Sequence, residues 1–183
     1  MKNRSEFFRY FVKPALVLTL MTLFSAAIIG FTHMVTSEPI RIQRENAEME
    51  AILALLPDMK TMEYAELEEA DSSLTRLTTA FGRDGEILGY VFSAMPAGYS
   101  GRINMMVAFD PAGVIQGVRI INHSETPGLG ANITQDWFLT AFSGKVGVVV
   151  SADVPVIASS TISVNAVLRG VNDAARYFEE NLP

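Results

Sequence analysis

The sequence predicts an α/β (α+β) domain built on a mainly antiparallel, twisted sheet and preceded by one N-terminal transmembrane helix. Three observations predict it. A charge-free apolar run extends from Pro14 to Ser37. Between positions 74 and 121, β-rich stretches alternate with Gly, Pro and Asp turn signals, the pattern of strands joined by tight connections. The chain closes on a segment whose apolar residues recur at helical spacing.

The apolar run holds Leu16, Val17, Leu18, Leu20, Met21, Leu23, Phe24, Ile28, Ile29 and Phe31. It is long enough to cross a hydrocarbon core of about 30 Å at about 1.5 Å per residue. Lys2, Arg4, Arg9 and Lys13 precede it, and no Lys or Arg follows until Arg41. The positive-inside tendency therefore predicts residues 1–13 as a cytoplasmic tail, 14–37 as the span of the inner (cytoplasmic) membrane, and an extracytoplasmic soluble domain. A cleaved signal peptide is the rival reading, but the run is long for one and ends in Met34-Val35-Thr36 without a small-x-small site. Thr19, Thr22, Ser25, Ala26, Ala27 and Gly30 interrupt the larger residues. Such residues let helices approach closely in lipid; the alternative is a plain tether whose hydroxyls bond their own carbonyls.

Composition narrows the function classes. The chain has 183 residues and a net charge of −6, and the part beyond the span is long enough for one domain with a core. Cysteine is absent, which excludes disulfides, thiolate catalysis and a cysteine-held iron–sulfur cluster. His33 and His123 are the only histidines and cannot build a metal site alone, so no metal ligands are assigned. An acidic chain with no basic, aromatic-interleaved stripe does not point to nucleic acid.

The elements follow in order. Residues 41–56 read as a helix through Ala47, Ile52, Leu55 and Leu56, ended by Pro57 and separated from the span by a break at Pro39. Residues 58–74 are acidic and loosely patterned, with Asp58, Glu63, Glu66, Glu68, Glu69 and Asp71. Residues 38–73 thus form a helical and acidic connecting region, and 74–183 the main domain. Strands are predicted at Leu74–Phe81, Ile87–Met95, Met105–Phe109 and Val114–Ile121, with turns at Gly82–Gly85 and Asp110–Gly113. Thr134 caps a short predicted helix through Trp137, Phe138 and Phe142, ended by Gly144. Val146–Val150 reads as a short buried strand. A last helix begins near Ser163, with Val164, Val167, Leu168, Val171, Ala175 and Phe178 on one stripe.

Two loops carry chemistry. The first is His123-Ser124-Glu125-Thr126-Pro127-Gly128-Leu129-Gly130, where the glycines and the proline specify a shaped backbone. Glycine on both sides of Leu129 allows close approach to a flat ligand; the alternative is a structural turn with a capping Glu or Thr. The second is Ala158-Ser159-Ser160-Thr161-Ile162-Ser163, hydroxyls at a helix N-terminus, where free N–H groups favour a phosphate. Ser163 is a plausible N-cap; Thr161 precedes it and is freer to meet a phosphate. Turn chemistry is the alternative here too. No catalytic triad emerges, so no catalytic residues are assigned.

Together with the anchor, these loops resemble the flavin mononucleotide (FMN)-binding domain of the G subunit of the Rnf electron-transport complex. The related C subunit of the sodium-pumping NADH:quinone reductase shares that domain. The carrying segments are Gly98-Tyr99-Ser100-Gly101-Arg102-Ile103, then Ser124-Glu125-Thr126-Pro127-Gly128-Leu129-Gly130, then Thr161-Ile162-Ser163 followed by Asn165-Ala166-Val167. The resemblance implies that FMN is held by a phosphoester to a threonine in a pattern of Asp, four residues, then Ser-Gly-Ala-Thr. Asp153 has that spacing and Thr161 matches the acceptor, while Ala158, Ser159 and Ser160 replace Ser, Gly and Ala. Serine for glycine at position 159 is the departure that bears on backbone shape.

By the same resemblance, Glu125, Thr126, Pro127, Gly128, Leu129 and Gly130 place the flavin ring, and Ser160, Ile162 and Ser163 flank the attachment. The expected protein is a membrane-anchored redox subunit, inactive alone, of an ion-translocating ferredoxin:NAD oxidoreductase. Its implied partners are membrane, iron–sulfur and flavin subunits, with an FMN transferase during maturation. An FMN carrier of another extracytoplasmic reductase system, or a flavin-less scaffold subunit, are the alternatives.

Overall fold

The computed structural model describes residues 8–67 and 72–182. Lys2, Arg4, Glu68, Glu69 and Asp71 lie outside the described residues. The chain divides into two compact units, Met1–Asn46 and Ala47–Pro183.

In the first unit a short π-helical stretch, Phe8–Val12, leads into helix α1, Lys13–Leu55, which continues into the second unit. It is the one helix among the described residues long and apolar enough to cross a membrane, with a mean hydropathy of 2.1 in its most apolar window. Its hydroxyls turn back on the helix. Thr19 donates to the Ala15 carbonyl at 2.9 Å, Thr22 to Thr19 at 2.9 Å and Thr36 to Thr32 at 2.8 Å. That satisfies polar groups which bare hydrocarbon would penalise.

The expected break at Pro39 is absent, and α1 runs through it. One interior proline removes a single ladder bond. Arg41 ties the adjoining turns by donating to Glu38 at 2.6 and 3.2 Å and to Glu45 at 2.5 Å. The hydrogen bond from Arg41, reinforced by its charge, holds the Glu38 carboxyl below its ordinary value.

The second unit is a five-stranded sheet in chain order: β1 Thr61–Glu66, β2 Leu74–Phe81, β3 Ile87–Ala94, β4 Asn104–Phe109 and β5 Ile115–Asn122. Every pairing is antiparallel, with Tyr90 opposite Phe109 and Val107 opposite Val118. The Asp110–Gly113 turn forms as predicted. Asp110 Oδ1 accepts the N–H groups of Ala112 and Val114, each at 2.9 Å, and Gly113 takes φ 81°.

Both sheet faces are covered. On one, Phe92, Met105, Val107, Phe109 and Ile115 pack with Val164, Val167, Leu168, Val171, Ala175 and Phe178 of the closing helix, Thr161–Asn181. On the other, Ala51, Ile52 and Leu56 at and just beyond the end of α1, with Met59, cover Ala80, Val91, Met106 and Ala108. Strand β4 is therefore buried at every position, which is why its sequence reads as a continuous apolar run.

Four further elements differ from expectation. Residues 61–66, expected within an acidic excursion, form edge strand β1, exposed at nearly every position. Its glutamates hide the strand period, because the strand has almost no buried side. Val146–Val150 is not a strand: only a single bridge, Val114 to Val146, forms. Asn172 of the closing helix supplies the missing partner, donating to the Val149 carbonyl at 2.9 Å and accepting its N–H at 2.8 Å. Thr134 caps nothing, since its hydroxyl donates to Ala131 at 2.9 Å; helix α2, Asp136–Leu139, starts after Gln135. The closing helix, α3, begins at Thr161, two residues ahead of Ser163, so Ser163 lies inside its first turn.

Candidate functional site

Three segments converge. The first is the turn after β3, where Gly98 N–H donates to the Gly101 carbonyl at 2.7 Å and presents Tyr99, 71% exposed. The second is the bend after β5. Thr126 O accepts from both Leu129 N–H and Ala131 N–H at 3.1 Å, and Gly128 sits at φ 75°, a conformation glycine adopts without strain. The third is the turn into α3, with Ser160 N–H on the Ile157 carbonyl at 3.2 Å and Ser159 at φ 59°.

Between them lies a cavity of about 410 Å³. Its lining combines Tyr99, Leu129 and Ile162 with the hydroxyl-bearing residues 159–161. The helix opening there is 21 residues long. Its first internal bond runs from Val164 N–H to Ser160 O at 3.0 Å, so the N–H groups of the preceding first-turn residues have no partner within the helix. Partial positive charge at such an end favours an anion.

The hydroxyls are not equivalent. Ser160 is buried and donates to the Ala158 carbonyl at 3.2 Å. Ser163 is buried and donates to Glu125 Oε2, which overturns its expected N-cap role. Thr161 is exposed, on the cavity wall. Ser159 is exposed on the same lining, so its hydroxyl and that of Thr161 are the two open to the cavity, while Ser160 and Ser163 are buried and bonded.

The predicted residues separate by position. Glu125, Thr126, Leu129, Gly130, Ser160, Thr161, Ile162 and Ser163 all line the cavity. Pro127 and Gly128 shape the bend without lining it. Asp153 is exposed and accepts Val150 N–H at 2.9 Å in its own turn, outside the cavity wall. Tyr99 and Ser159 line the cavity, although sequence reasoning does not assign them as ligand contacts. Tyr99 has a signal in its Gly-Tyr-Ser-Gly setting; Ser159 stands out only as a departure from glycine.

The lining residues suit a flavin mononucleotide: Tyr99, Leu129 and Ile162 offer surface to a flat ring system, and the hydroxyls at the uncapped start of α3 suit a phosphate. The FMN-binding domain family matches residues 98–176, which encloses all three segments. The G subunit of the ion-translocating oxidoreductase complex of Shewanella loihica is 31% identical over 152 residues, covering 75% of this chain and 70% of that one. That of Pseudoalteromonas atlantica is 29% identical over 194 residues, covering 92% and 88%. The G subunit of the sodium-translocating ferredoxin:NAD oxidoreductase complex of Acetobacterium woodii is 28% identical over 188 residues, covering 91% of each. Among solved structures, the C subunit of the sodium-translocating NADH-quinone reductase of Parabacteroides distasonis superposes with a TM-score of 0.49 at 22% identity, covering 66% of this chain and 77% of that one. By its domain match and its relatives in sequence, the chain belongs to the family of G subunits of ion-translocating oxidoreductase complexes.

Proposed function

We propose that this protein is a single-span redox subunit of an Rnf-type ion-translocating oxidoreductase complex and carries FMN, joined through its phosphate to Thr161, on the extracytoplasmic side of the membrane. One observation carries the reading: the bend at Glu125–Gly130 and the hydroxyl turn at Ser159–Thr161, far apart in sequence, line one cavity. When bound, the flavin supplies reversible electron transfer. The chain's own residues hold and orient it. Tyr99, Leu129 and Ile162 offer apolar surface to the ring and exclude water from its faces. Thr161 Oγ1 is the attachment atom. Attachment would form the bond from Thr161 Oγ1 to phosphorus as the phosphoanhydride bond of a flavin dinucleotide donor breaks, with the nucleoside monophosphate as leaving group and the hydroxyl proton passing to a base of the transferase.

Serine at position 159 does not argue for a flavin-less scaffold. Its φ of 59° keeps the left-handed turn that a glycine would provide. The basic residues ahead of the span support a cytoplasmic N-terminus. The lone span docks beside multi-span subunits, and electrons pass between this subunit and its iron–sulfur and flavin neighbours. Intact mass of the full chain, produced in cells with the flavin transferase, tests attachment. The parent is expected to carry an FMN-sized excess that survives denaturation, and Thr161→Ala to lack it. An unmodified parent from such cells overturns the covalent reading.

A further inference from the structure

The geometry points to Glu125 as the positioning residue of this site: it clamps the three wall segments into one pre-formed cavity by accepting hydrogen bonds from Ser100 and Ser163. The inference rests on the flavin reading of the cavity. Glu125 is only 4% exposed. Its Oε1 accepts the Ser100 N–H at 3.0 Å, and its Oε2 accepts the Ser163 hydroxyl. Its own N–H donates to His123 Nδ1 at 3.1 Å.

One side chain thus joins the turn after β3, the bend after β5 and the first turn of α3. The carboxylate lies between two glycines. A Cβ on Gly98 would stand 2.6 Å from Oε1, and one on Gly130 would stand 2.6 Å from Oε2 and 2.5 Å from Ser163 Oγ. Any larger residue at either glycine would push the clamp apart.

Both partners donate to the carboxylate. An amide of the same size could keep both bonds, accepting from the Ser100 N–H and donating to the Ser163 hydroxyl, which also accepts. Glu125→Leu removes both arms at similar volume, since its side chain neither donates nor accepts. Ser163→Ala removes the helix arm alone. Ser163 lies inside the first turn of α3 and no side chain caps that end, so the first-turn N–H groups stay available to an anion. Glu125 borders the cavity with both oxygens turned to the wall segments, so it acts on the ligand through the positions of those segments.

The test uses the full chain in the membrane, produced with the flavin transferase, as wild type, Glu125→Leu, Ser163→Ala and the double variant. Flavin loading is read by intact mass, ring exposure by iodide quenching of flavin fluorescence, and ring environment by the visible spectrum. Glu125→Leu is expected to lower loading several-fold, to raise the quenching constant at least twofold and to shift the flavin absorption bands. Ser163→Ala should move all three in the same direction by less, and add little to Glu125→Leu. A Glu125→Leu protein with lower thermal stability but wild-type loading, quenching and spectrum overturns the inference, because a purely structural residue behaves that way. If Glu125→Leu does not fold, Ser163→Ala decides on the same readouts. A wild-type protein without flavin overturns the site reading itself, and is distinguished from the other outcome because it appears before any variant is compared.

Discussion

Ser159 holds φ 59° with a side chain attached, a conformation costing a non-glycine residue about 1–2 kcal/mol. Glycine relieves that cost and returns part of it as unfolded-state entropy. Ser159→Gly is therefore expected to stabilise the protein by about 0.5–1 kcal/mol, read as a higher urea midpoint at unchanged slope. No gain would mean that the turn is not held in this conformation. Gly130 presents the reverse case, for its constraint is space. A methyl group there meets Ser163 Oγ and Glu125 Oε2 at 2.5 and 2.6 Å, atoms bonded to each other and buried. Gly130→Ala should cost about 1–3 kcal/mol, the range for overpacking, and a cost below about 0.5 kcal/mol would show that the clamp yields freely. At this scale the sequence is readable where a residue acts on its own surroundings. Thr161 reads as an open hydroxyl and is exposed on the cavity lining. Ser163 looks like a cap because its partner, Glu125, lies 38 positions away, and no local pattern reports such a pair.

Elements are legible where a side-chain period coincides with burial. The stripe on α3 and the central strands of the sheet are visible for that reason. Strand β1 is not, because an edge strand exposed on both faces carries no alternation. The valine run at 146–150 misleads in the other direction. Valine favours strands through packing on a pleated surface, but only Val149 turns inward, while Val146, Val148 and Val150 remain exposed. What holds the run is the Asn172 amide, which exchanges both hydrogen bonds with Val149 as a neighbouring strand would. Asn172→Ala is expected to cost about 1–3 kcal/mol, since it leaves the partly buried backbone groups of Val149 without partners. Amide hydrogen exchange at Val149 should accelerate more than at β4. Uniform acceleration across the sheet would show that Asn172 supports the whole domain and not this segment.

At the scale of the whole molecule, chemistry and packing divide the chain at different places. Chemistry divides the chain near Ser37, where charge returns, whereas packing divides it at Ala47, inside α1. The end of α1 belongs to the domain. Ala51, Ile52 and Leu56 are buried against Ala80, Val91, Met106 and Ala108, and Leu55 lies close enough to Gly117 that a Cβ there would come within 2.8 Å of it. The sheet is thus closed on one face by a helix that precedes it and on the other by the helix that follows it. The cavity residues depend on β3 and β5 being fixed between those two layers. Burying Ile52 and Leu56 contributes roughly 3–6 kcal/mol at about 1.5–3 kcal/mol for each large aliphatic side chain. That is a large share of the roughly 5–15 kcal/mol typical of a domain. A fragment spanning Ala47–Pro183 should therefore fold cooperatively without the membrane span. A fragment beginning at Asp58 should lose about 3–6 kcal/mol in denaturant unfolding, or fail to stay soluble as the exposed sheet face associates. Equal unfolding midpoints for the two fragments would show that the end of α1 is a connector resting on the sheet and not its second layer.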